Sequence, residues 1–123
     1  DITLEGAIVA TNELFKYVTH VSLPVPADTK AGVPVRIGIL NGFSETPEGA
    51  GVGNIEGYAS INFDGAFQVD VTGALTPGQA VYITSANALT ATALGNALFG
   101  ASLSTKGTGV GKATVKPIQS ARL

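Results

Sequence analysis

Apolar residues recur at alternate positions in short runs along this chain, and each run stops at a cluster of Gly, Pro, Asn or Asp. A two-residue period places one set of side chains on each face of a strand, and the punctuation marks the turns between strands. Residues 1–13 open with Ile2 and Leu4 alternating with Thr3 and Glu5 until Gly6 interrupts, which predicts an arm or a first edge strand. Leu14–Leu23 predicts a strand with Phe15, Tyr17, Thr19, Val21 and Leu23 on one face and Lys16, His20 and Ser22 on the other. Pro24 and Pro26 end it, because proline removes a ladder donor. After a turn at Lys30-Ala31-Gly32, Val33–Leu40 predicts a second strand with Val33, Val35, Ile37 and Ile39 on one face. Pro34 confines it to an edge or makes it a strand start. Residues 41–54 form the longest Gly-rich stretch and are expected to be irregular.

Further strands are expected at Ile55–Phe63, before the turn Asp64-Gly65, and at Ala66–Val71, where Phe67, Val69 and Val71 point inward. Thr76-Pro77-Gly78-Gln79 carries Pro and Gly at the central positions of a type II turn. Ala80–Thr84 and Ala88–Ala93 predict a hairpin, Gly95-Asn96 a turn, and Leu98–Leu103 the next strand. Gly107–Gly111 predicts the last loop and Lys112–Ile118 the last strand. No window shows a helical period, beyond one turn within 91–99.

Composition sharpens this into a fold class. Val, Ile and Thr make up more than a quarter of the 123 residues, and 16 Gly and 6 Pro are spread between the runs. β-branched side chains suit a pleated surface and lose rotamer freedom in helices. The expectation is all-β: a small single-domain β-barrel or β-sandwich of short antiparallel strands, with residues 1–13 as an N-terminal arm and 14–123 as the domain. A chain of this length buries roughly two-thirds of its surface, enough for a core without metal or disulfide. The chain opens on Asp1 rather than Met, so a trimmed or processed N-terminus is expected.

Charge narrows the functional classes. Seven Lys and Arg against nine Asp and Glu give a net charge of −2, with only 13% charged residues. So few cations build no phosphate-neutralising patch, so no nucleic-acid partner is expected. No apolar run approaches the roughly 20 residues of a membrane helix, so no membrane partner is expected either. The absence of Cys excludes disulfides, thiol nucleophiles and Cys-based metal sites. A surface with so little charge tends to associate.

Candidate chemistry is sparse. Lys106-Gly107-Thr108-Gly109-Val110-Gly111-Lys112 resembles a phosphate loop, but its glycines enclose three residues rather than four and Ala113 stands where a hydroxyl is needed. Gly49-Ala50-Gly51-Val52-Gly53 is half a dinucleotide fingerprint without its third glycine. His20 is the single imidazole and has no nucleophile elbow for company. Asp28, Glu45, Glu48, Glu56, Asp64 and Asp70 form no close motif. Catalytic, cofactor and metal residues are therefore expected to be absent. Phe15, Phe67 and Phe99 read as core, while Tyr17, Tyr58 and Tyr82 are the aromatics that a carbohydrate-binding or adhesin-type module would expose.

The second half carries a resemblance. Gly78-Gln79-Ala80-Val81-Tyr82-Ile83-Thr84 is followed by Ala88-Leu89-Thr90-Ala91-Thr92-Ala93, then Gly95-Asn96-Ala97-Leu98-Phe99-Gly100-Ala101-Ser102-Leu103, and finally Ala113-Thr114-Val115-Lys116-Pro117-Ile118. Upstream stand Ala31-Gly32-Val33-Pro34-Val35-Arg36-Ile37-Gly38 and Ala66-Phe67-Gln68-Val69-Asp70-Val71. In this order the segments, over about residues 29–118, resemble the tailed-bacteriophage capsid decoration (cement) proteins of the DUF2190-like family. Pro117 and a longer 41–54 stretch are departures from that pattern. The resemblance implies a β-tulip-like domain on the outer surface of the virion, bound to the major capsid protein, bridging capsomers, and self-associated as a homotrimer at local threefold positions. It carries over no catalytic residue. Within that frame, the alternating N-terminal segment is expected to supply the capsid or inter-subunit contact, through Ile2, Leu4, Ile8 and Leu14.

Overall fold

The structure, a computed structural model, describes residues 20–49 and 56–119. They form nine strands: β1 (His20–Pro24), β2 (Pro34–Ile37), β3 (Leu40–Ser44), β4 (Tyr58–Asn62), β5 (Phe67–Thr72), β6 (Ala80–Ile83), β7 (Leu89–Thr90), β8 (Ala97–Ser102) and β9 (Val110–Pro117). β1 to β4 make an antiparallel sheet in the order β1-β4-β3-β2, and β5 to β9 close into a barrel in the order β5-β7-β6-β8-β9. No helix occurs among the described residues.

Most predicted strands are present, with the predicted faces. β5 buries Val69 and Val71 and exposes Gln68 and Asp70. β6 buries Val81 and Ile83. β1 ends at Pro24, and β2 both begins at Pro34 and forms a sheet edge. Gly78 has φ +88, and the Gln79 amide donates to the Thr76 carbonyl, which closes the expected turn. Of the strand predicted over Leu14–Leu23, residues 14–19 lie outside the described residues.

Three expectations fail locally. The strand predicted over Val33–Leu40 is a hairpin: β2 ends at Ile37, Gly38-Ile39 form the loop, and Leu40 pairs with Ile37. Gly38 has φ +64, as a two-residue loop with Gly at its first position requires. Ile39 thus sits in the turn, 38% exposed, rather than on the buried face. The stretch from 41 is not irregular either, because β3 occupies its first residues; Asn41 and Gly42 mask the alternation there. The third correction is β7, which has two residues rather than the six of the predicted return strand. It pairs antiparallel with β6 and parallel with β5, and this parallel pair closes the barrel, so the strands are not all antiparallel. β7 and β8 flank β6 and run the same way. The chain must therefore leave β7 early and cross past β6 through residues 91–96 to start β8.

Two apolar clusters result. Val69, Val71, Leu75, Val81, Ile83, Leu89, Phe99, Ala113 and Val115 fill the barrel, joined by Phe43 from the sheet. The sheet has its own cluster of Val35, Ala59 and Ile61, edged by Leu23, Val25, Val33, Ile37 and Phe63. β8 and β9 approach so closely at Gly100 that a Cβ there would overlap the Lys116 carbonyl, which explains this glycine within an otherwise regular strand.

Candidate interaction surfaces

β3 couples the two sheets. Its alternation sends Gly42 and Ser44 toward their own sheet, where a Cβ on Gly42 would meet the Ile61 side chain. Asn41 and Phe43 turn toward the barrel. Phe43 stacks on Phe67 with centroids 4.4 Å apart and meets Phe99 edge-on at 5.3 Å. Asn41, fully buried, donates through Nδ2 to the carbonyls of Leu98 (3.1 Å) and Ile118 (2.8 Å), and its Oδ1 accepts from Arg36 Nη1 (2.9 Å). Its backbone N–H donates to Gln119 Oε1 (2.9 Å), and Gln119 Nε2 returns a bond to its carbonyl (2.8 Å). Buried polar groups are tolerated when satisfied in this way. Neither Asn41 nor Phe43 stood out in the sequence, although Phe43, a large apolar residue inside a supposed loop, was the available signal.

The motif candidates resolve into structural roles. Lys106 Nζ donates to the carbonyls of Gly73 (2.9 Å), Gly107 (2.7 Å) and Gly109 (2.6 Å). The ammonium thus closes its own glycine loop and is turned away from any phosphate. Of the second glycine run only Gly49 is described; its amide donates to the Tyr58 carbonyl (2.8 Å). Glu48 accepts from the amides of Gly57 and Asp28 and ties two loops together. Asp70 pairs with Lys112 at 3.2 Å, and Asp64 with Lys116 at 2.9 Å. The Lys116 hydrogen bond, helped by the Gly65 amide, holds the Asp64 carboxyl below the usual carboxylate range. Among the described residues no three His, Cys, Asp or Glu side chains cluster as a metal site would need. His20 begins β1 opposite Asn62. Tyr58 and Tyr82 lie in different sheets, so they do not extend one strand ladder into an aromatic strip; Tyr17 lies outside the described residues. Ile2, Leu4, Ile8 and Leu14 lie there too.

What the described surface does offer is two unlike barrel walls. β5 and β9 carry Asp70, Lys112 and Lys116. The stretch 71–105, which supplies β6, β7, β8 and their connections, contains no Asp, Glu, Lys, Arg or His of its own, but Arg36 of β2 donates to the Leu98 carbonyl (3.0 Å) and lines a pocket with Ile83, Gly95 and Asn96. Across this second wall Tyr82 pairs with Thr90 on one side and Leu98 on the other. Leu94, in the crossover past β6, is 90% exposed. Beside the wall, a groove of about 430 Å³ separates the Pro26–Lys30 loop of the sheet from Ser85-Ala86-Asn87 of the barrel.

An all-β fold with Lys106 bound in its own loop, Lys112 and Lys116 in surface ion pairs and Leu94 exposed has the features of a protein that presents surfaces to other proteins. The chain is a member of the phage cement protein family, whose family model matches residues 16–117. It is thus a virion component that decorates the outer surface of the capsid. The match begins upstream of the segments that carried the resemblance and takes in β1. No curated protein and no solved structure gives a significant match.

Proposed function

We propose that this chain binds the major capsid protein on the outside of the assembled head, bridges neighbouring capsomers as a homotrimer at local threefold positions, and stabilises the shell by binding alone, without turnover. The family match over residues 16–117 carries this reading. The physics is linkage: a protein that binds only the assembled shell opposes its disassembly. Three linked contacts raise avidity about 10²–10⁴-fold over one, because the second and third become intramolecular. A neutral contact also keeps its strength in salt, where ion pairs weaken. We assign the capsid or inter-subunit contact to the N-terminal segment, through Ile2, Leu4, Ile8 and Leu14, on the strength of their apolar alternation.

The test is co-sedimentation of the full chain with capsids of its own phage that lack it. Saturable binding and a raised capsid melting temperature are expected; no binding at any protein concentration overturns the proposal. Deleting residues 1–12 is expected to leave a folded domain that decorates poorly. Full occupancy after the deletion would remove the N-terminal segment from the contact.

A further inference from the structure

We infer, independently of the capsid-binding reading, that Asn41-Gly42 is a latent self-modification site: docking of β3 on the barrel holds off an intramolecular deamidation that opening of the sheet releases. Asn followed by Gly is the pair most prone to this reaction, because the second residue has no Cβ to hinder attack by its backbone nitrogen. The chain contains this pair once. The Gly42 nitrogen attacks Asn41 Cγ and gives up its proton, the Cγ–Nδ2 bond breaks, and ammonia leaves. The resulting five-membered imide then takes up water at either of its carbonyls. Opening at Cγ yields aspartate. Opening at the backbone carbonyl yields isoaspartate, with the main chain rerouted through the side-chain carbon. Water is the sole co-reactant, and nothing is oxidised or reduced.

The fold requires both residues of this labile pair. A Cβ at position 42 would lie 2.6 Å from the Asn62 carbonyl oxygen and 2.7 Å from Ile61 Cγ2, so the neighbouring strand imposes glycine. Position 41 needs a side chain that donates twice and accepts once: Nδ2 donates to the Leu98 and Ile118 carbonyls, and Oδ1 accepts from Arg36 Nη1. Asparagine does this, whereas an ionised aspartate only accepts. The same contacts suppress the reaction. Asn41 is 0% exposed, its leaving amide is tied to two carbonyls, and Gln119 clamps both its N–H and its C=O. The imide ring closes only if the backbone at Asn41 rotates out of the extended strand, which the pairing of Val35 with Gly42 and of Arg36 with Asn41 opposes. Modification therefore proceeds from the opened state, at a rate set by how often the sheet lifts. The product then resists redocking. One carboxylate oxygen keeps Arg36, but the other replaces Nδ2 and faces the Leu98 and Ile118 carbonyls without a proton to offer.

The test holds the full chain in mildly alkaline buffer, folded in one arm and in guanidinium chloride in the other. Mass spectrometry with fragmentation follows the conversion of amide to acid at Asn41. The denatured chain is expected to convert at least about tenfold faster than the folded one. Phe43→Ala loosens the contact between sheet and barrel and is expected to raise the folded-state rate at least about tenfold. Gln119→Ala, at an exposed residue of neither core, removes the main-chain clamp alone and is expected to raise it severalfold while circular dichroism stays that of the parent. Equal rates in the folded and denatured parent overturn the inference, as does a denatured chain that leaves Asn41 intact. A folded-state rate that neither variant changes overturns the role given to docking. After refolding, the converted fraction is expected to melt below the unconverted one; identical melting overturns the block on redocking.

Discussion

The barrel of β5 to β9 and the sheet of β1 to β4 handle their strand edges differently. The barrel closes on itself through the β5–β7 pair, so its backbone donors and acceptors are used internally. The sheet ends on β1 and β2 among the described residues, and its core of Val35, Ala59 and Ile61 is the smaller of the two clusters. The difference also shows in what each lends the other. The sheet sends Phe43 into the barrel core and is anchored there, whereas its own cluster takes no side chain from the barrel. The barrel is thus the closed unit with the larger core, and the sheet is a layer docked on it through Phe43 and Asn41.

This contrast is breakable. The largest effect is expected from Phe43→Ala, which empties a buried aromatic site and removes both ring contacts, at a cost of about 3–5 kcal/mol. Hydrogen exchange should then show the amides of β2 and β3 opening well before those of β5 and β9; uniform loosening of both regions would deny that the sheet is a docked layer. Gly100→Ala attacks the barrel itself, because its Cβ would overlap the Lys116 carbonyl. A loss of about 1–3 kcal/mol by chemical denaturation is expected, concentrated in β8 and β9. Asn41→Ala leaves the Leu98 and Ile118 carbonyls with fewer donors and removes one of the two acceptors of Arg36 Nη1, which keeps the Leu98 carbonyl, for about 1–3 kcal/mol, and its exchange signature should again be confined to the sheet.

The smallest effect belongs to Asp64→Asn. Its carboxyl is exposed and its native pKa lies below the unfolded value, chiefly through Lys116. The stabilisation is therefore present above the unfolded pKa and fades as pH falls through the lowered native one. The melting difference between parent and variant should be slight at neutral pH and vanish in acid. A difference that grows on acidification would reverse the assigned cause.

Legibility followed the length scale of each interaction. The alternation of Phe67, Val69 and Val71 and the Pro77-Gly78 turn are local, so both were readable directly. Lys106 with its glycines was visible as a motif, but which carbonyls would take its ammonium depended on Gly73, far away in sequence. Asn41 looked like a loop residue because its partners, Leu98, Ile118 and Gln119, lie more than fifty positions on. The lack of charge over 71–105 is a property of the linear chain; that Arg36, from another sheet, bonds to Leu98 within it is not.

By itself, then, the sequence determined the strand-and-turn grammar, the scarcity of charge and the lack of reactive groups, because side-chain period and composition act over a few residues. Tertiary structure alone decided that Leu40-Asn41-Gly42-Phe43 is a strand plugged into a neighbouring barrel. It likewise decided that β7 stops after two residues to pair on both sides, and that Arg36 of the sheet reaches the Leu98 carbonyl of β8. Those outcomes depend on which strands meet, and pairing between distant segments is set by the packing of the whole core.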